Sequence, residues 1–111
     1  MLETALARQT IQYLNQVLGG DVVRVESVGP AEELPYFLQD AYDVFLCELF
    51  GHKIVLACTK GEQSIPAQQM GKHVERMREQ LQAPVIVALP KVAPGERRQL
   101  VRHDVPFVVP G

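Results

Sequence analysis

Two apolar runs separated by one tight turn constrain this chain more than any other feature. Tyr42 to Phe50 and Lys53 to Thr59 are joined through Gly51-His52. Two such runs flanking a glycine turn predict a β-hairpin. Pairing outward from that turn sets Leu49 opposite Ile54, Cys47 opposite Leu56, Phe45 opposite Cys58 and Asp43 opposite Lys60. Side chains alternate across a strand, so all eight share one face. That face is apolar or thiol along its length and carries an Asp and a Lys at its open end. A one-residue slip in register would send the whole set to the other side of the sheet.

The segments around the hairpin supply its covering. Residues 4 to 18 predict a helix, with Leu6, Tyr13, Leu14, Val17 and Leu18 on one face and Gly19-Gly20 as its stop. Val22 to Val28 is β-branched and bounded by turn residues, so it predicts a strand. Ala31 to Ala41 predicts a connector with a short helix after Pro35. Lys60 to Ser64 is a polar loop. Pro66 to Gln82 carries Met70, Val74, Met77 and Leu81 at helical spacing, with Pro66 where a first turn tolerates it. That stripe predicts core packing. Val85 to Leu89 is wholly apolar, as in a strand buried on both faces. Pro94 to His103 predicts a second short helix, and Phe107-Val108-Val109 a last strand. The order α-β-β-β-α-β-α-β predicts an α/β domain with a central mixed sheet flanked by helices. It spans residues 1 to 111 as a single domain, and the closing Val109-Pro110-Gly111 is expected to lead into a longer protein.

Composition narrows the function classes. The chain has 111 residues, 47% hydrophobic, with no apolar run near the roughly 20 residues a membrane span needs. Met1-Leu2-Glu3-Thr4 lacks the basic head of a signal peptide, so a cytoplasmic location is expected and no membrane partner. Charge is uneven. Residues 1–59 carry three basic side chains (Arg8, Arg24, Lys53) against eight acidic ones, and residues 60–111 carry eight basic against five acidic. The net charge is −2, whereas a tight nucleic-acid binder would normally show a basic excess. Arg97, Arg98 and Arg102, beside His103, concentrate charge on the last helix and are the candidate contacts for a partner. Otherwise they make a solvated face.

Cys47 and Cys58 lack Cys-x-x-Cys spacing, and His52, His73 and His103 are scattered, so no zinc site is read. On the hairpin face the cysteines are diagonal neighbours roughly 7 Å apart, too far for a relaxed disulfide. His52 reads as a turn residue.

The pair at the open end of the hairpin admits two readings. The plain one is a cross-strand ion pair worth at most ~1 kcal/mol. The other is a site in which Asp43 and Lys60 bind a divalent metal and polarise a phosphate. Asp43 opening the second strand and Cys58-Thr59-Lys60 closing the third resemble the PD-(D/E)xK nuclease-like fold, over roughly residues 4 to 89. In that family the Asp and the acid of the acid-x-Lys element hold metal, and the Lys helps position the attacking water. Asp43 matches the Asp and Lys60 the Lys, but Cys58 stands where the second acid belongs and is a poor ligand for a hard cation. Glu48 lies on the opposite strand face, and Glu62 lies beyond Lys60. The resemblance therefore implies a restriction-endonuclease-like shape without nuclease activity, no cofactor, and Mg²⁺ only if the chain were a nuclease.

A second resemblance is carried by Glu33-Leu34-Pro35-Tyr36-Phe37-Leu38-Gln39-Asp40-Ala41-Tyr42-Asp43, Pro84-Val85-Ile86-Val87-Ala88-Leu89-Pro90 and Arg97-Arg98-Gln99-Leu100-Val101-Arg102. The closing Val105-Pro106-Phe107-Val108-Val109-Pro110-Gly111 adds to it. These segments resemble the N-terminal half of bacterial MarR-like or winged-helix transcriptional regulators. That resemblance implies a non-enzymatic interaction or sensing domain, with homodimer contacts, whose DNA-binding domain lies outside this chain. The competing expectations are a metal-dependent nuclease using Asp43, Lys60 and a relocated acid, and a small-ligand or protein adaptor domain unrelated to DNA.

Overall fold

A computed structural model describes residues 5–20, 22–28, 33–60 and 65–110. In chain order its elements are α1 (Ala5–Leu18), β1 (Val23–Val28), α2 (Tyr36–Ala41), β2 (Tyr42–Leu49) and β3 (His52–Thr59). They continue with α3 (Ala67–Leu81), β4 (Val85–Ala88), α4 (Pro94–Arg102) and β5 (Phe107–Val108). The polar stretch 61–64, with Glu62, lies outside the described residues.

Local chemistry accounts for the joints. Gly19 ends α1 at φ +90°, a left-handed value that glycine adopts without a Cβ penalty. The Asn15 carboxamide oxygen then accepts from the backbone N–H groups of Val22 and Val23, at 2.9 and 2.8 Å. One side chain thus fixes where β1 departs. The β2–β3 turn is Phe50-Gly51, with φ of 50° and 81°. Two successive positive φ values mark the hairpin turn whose twist matches its strands.

That turn corrects the expected register. Leu49 faces His52, Cys47 faces Ile54, Phe45 faces Leu56 and Asp43 faces Cys58. The ladder is shifted by two residues from pairing about Gly51-His52. Because the side-chain period is two, the shift moves partners and leaves every residue on its expected face.

The sheet order is β1-β2-β3-β4-β5. β1, β2 and β3 run antiparallel in sequence, while β3, β4 and β5 run parallel, joined through α3 and α4. A bulge at Val25/Ser27 breaks the outer ladder. One face of the sheet buries Phe45, Cys47, Ile54, Leu56, Cys58 and Ala88 with Ala7 of α1. The other buries Tyr42, Val44, Val55, Ala57, Val85 and Val87 with Leu38 of α2, Met70, Val74 and Met77 of α3, and Leu100 of α4. The mixed α/β architecture with a central mixed sheet flanked by helices is as expected, and the short helix after Pro35 is α2. α3 and α4 meet closely. A Cβ built on Gly71 would stand 2.9 Å from the His103 carbonyl oxygen.

Candidate functional site

The carboxyl ends of β3 and β4 and the start of β2 share one end of the sheet, and the chemistry-bearing residues gather there. On the α1 face, the Asp43 carboxylate lies 3.6 Å from Lys60 Nζ, with the two side chains 33% and 43% exposed. Lys60 Nζ also donates to the Gln39 carbonyl of α2 at 2.8 Å, and its backbone N–H donates to the Ala41 carbonyl at 2.9 Å. The ammonium is thus moored to the chain that leads into β2. The two residues come together as expected, though diagonally: Asp43 stands directly opposite Cys58, not Lys60.

Cys58 decides what this end can do. It is 1% exposed, and its thiol is pushed up to about 12 by burial first, then by the Asp43 carboxylate and by Cys47. A thiol that keeps its proton offers no anionic ligand, and a hard divalent cation takes oxygen donors. Glu48 sits five residues along β2 from Asp43, roughly 17 Å at strand rise, and its register neighbours are Arg24 and Lys53. Among the described residues, this end brings together one half-buried carboxylate, one protonated thiol and one lysine, a single anionic oxygen ligand where Mg²⁺ takes several. Among the described residues no group of three or more His, Cys, Asp or Glu side chains could hold a metal ion. The two cysteines form no disulfide. The corrected register sets them four positions apart along the strands, so they are not the diagonal neighbours expected.

The opposite face of the same end opens into a cleft of about 970 Å³. It lies between Thr59 at the end of β3, the first turn of α3, the Leu89-Pro90-Lys91 segment after β4, and the inner side of α4. Its floor is apolar, from Ile65, Met70, Leu89 and Leu100. Its polar side chains are Thr59, Lys91, Glu96 and Gln99. Sequence reasoning missed this cleft, because four separate segments enclose it. The legible signal was the pair of prolines, Pro66 and Pro94, that start a helix after each parallel strand.

A third feature, also unread in the sequence, lies inside the α3 packing. The Tyr42 hydroxyl is 2.9 Å from His73 Nδ1, with the two rings edge to face, and Phe37 of α2 stacks at a tilt on the imidazole. Burial raises the phenol's pKa and lowers that of the imidazole, so the pair is neutral. Tyr42 is 1% exposed. Its hydroxyl proton has an acceptor only if it is given to Nδ1, which puts the histidine's own proton on Nε2. His73 lies three residues after Met70, on the same helical face, and that spacing was the available signal.

The arginine candidates separate. Arg97 is held over the Phe107 ring, its guanidinium carbon 5.7 Å from the centroid. Arg98 and Arg102 are exposed on α4. None of the three makes a hydrogen bond or ion pair with Asp43 or Lys60. His52 is the first residue of β3, one position past the turn.

A five-stranded mixed sheet with helices on both faces defines the class of domain. No family model, curated protein or solved structure matches the chain. Among the described residues no helix is long and apolar enough to cross a membrane.

Proposed function

We propose that this chain is a non-enzymatic interaction or sensing domain of a bacterial, cytoplasmic transcriptional regulator. In this reading its shape is restriction-endonuclease-like, it works as a homodimer, and DNA is read by a winged helix outside residues 1–111. The observation that carries the non-enzymatic part is Cys58. A buried, protonated thiol occupies the position from which a nuclease of that shape would present its second metal-binding acid. The Asp43–Lys60 pair is then an exposed ion pair at a sheet end, a class of contact worth at most ~1 kcal/mol. A net charge of −2 supports the assignment of DNA contacts to another domain.

Supercoiled plasmid incubated with the chain and Mg²⁺ or Mn²⁺ should stay intact, for the wild type and for Lys60→Ala alike. Nicking by the wild type that disappears in K60A would overturn the reading in favour of a nuclease. Duplex DNA of mixed sequence should not be retarded in a gel by this chain alone at about 0.15 M salt.

A further inference from the structure

We propose that the cleft between α3, α4 and the carboxyl ends of β3 and β4 is a binding site for a small, uncharged, mainly apolar molecule. The proposal rests on the sensing reading above and names what is sensed by class. At about 970 Å³ the cleft is at the upper end of the size that ligand pockets occupy. Its floor is continuous with the core. Met70 and Leu100 are 2% and 3% exposed and pack within the cluster on that face of the sheet, and both also line the cleft. An apolar occupant would therefore extend a packed surface, gaining the burial that drives such binding.

The polar groups define the other end of the ligand. Thr59 and Gln99 place a hydroxyl and a carboxamide on the wall. Neither side chain is hydrogen-bonded to the described residues. They can serve a hydroxyl, carbonyl or amide on the ligand. Among the described residues that line the cleft the charges balance: Lys91 and Glu96 are of opposite sign. A ligand with a net charge gains no net field from that rim and meets a desolvating floor. An uncharged molecule avoids that cost.

The neutral fluorophore N-phenyl-1-naphthylamine, titrated into the chain, tests this directly. Its emission should rise and saturate at one molecule per chain. Ala67→Phe, which fills the cleft from the first turn of α3, should weaken binding roughly tenfold or more. Gln99→Trp, at an exposed position on the cleft wall, should do the same and decides the matter if A67F does not fold by circular dichroism. Tyr36→Ala removes an exposed aromatic outside the cleft and should bind as the wild type does. Saturating fluorophore should raise the wild type's Tm by several degrees.

Unsaturable binding, wild-type affinity in the folded cleft variants, or loss of binding in Y36A would overturn the site. Tighter, cleft-dependent binding of the anionic 8-anilinonaphthalene-1-sulfonate would overturn the uncharged class. A chain that takes up no fluorophore and leaves plasmid intact fails here while the non-enzymatic reading stands. A chain that nicks plasmid through Lys60 overturns that reading by a separate measurement.

Discussion

At the scale of single residues, His73 is the group whose protonation the fold opposes. Its pKa is lowered by burial, whereas an unfolded chain would titrate it near 6.5. Between those two values the unfolded state binds the proton and the native state does not. The stability from keeping His73 neutral is therefore complete above pH ~6.5 and is lost as pH falls toward the lowered folded value. Urea unfolding at pH 7.5 and pH 5.5 should show a smaller midpoint at the lower pH. His73→Gln should reduce that difference, because Gln cannot titrate; an unchanged difference would place the acid sensitivity elsewhere. Cys58 differs in kind. A thiol titrating at about 12 stays neutral across this range, so the residue adds packing and no pH dependence. The position of Cys58 was legible from strand alternation alone. Its protonation was not, because that depends on α1 and the neighbouring strands excluding water from the thiol.

At the scale of elements, the α3–α4 contact shows how packing reverses a propensity. Glycine inside a helix ordinarily costs about 0.5–1 kcal/mol relative to alanine. Gly71 is the fifth residue of α3, and a methyl group there would meet the His103 carbonyl at 2.9 Å. Backbone on both sides leaves little room to give. Gly71→Ala should therefore destabilise the protein, by roughly 1–3 kcal/mol in chemical denaturation, although the isolated helix would gain. A stabilised variant would show that α4 can move away. The hairpin teaches a related lesson. Both candidate turns, about Gly51-His52 or about Phe50-Gly51, bury the same face, so alternation could not choose between them. The choice went to the two-residue loop with two positive φ values. Phe50 accepts a conformation unusual for a bulky side chain and stays 60% exposed.

At the scale of the whole molecule, β3 is the axis of stability. Val55, Leu56, Ala57 and Cys58 are each at most 1% exposed and are paired with β2 on one side and β4 on the other. Their amides should exchange with solvent only through global unfolding. β1 lies at an edge, with a bulge in its one ladder and with Arg24 and Glu26 exposed, devices that keep an edge from pairing with another chain. Its outward amides should exchange much faster than those of β3. Protection of β1 that grows with protein concentration would mean that homodimer contacts run through this edge.

The sequence by itself determined the elements, their order and the face on which each residue of the β2–β3 hairpin lies. Those follow from periods of 2 and 3.6 residues and from glycine and proline punctuation, all of them local. It also placed Asp43, Lys60 and Cys58 on one surface, since a two-residue shift leaves alternation intact. Only the tertiary structure decided the hairpin partners, the bond between Tyr42 and His73 across 31 residues of chain, the neutral state of Cys58, and the cleft between α3 and α4. Each of these depends on which distant segments exclude water from a group or leave space beside it. That is a property of packing in three dimensions, which no pattern along the chain records.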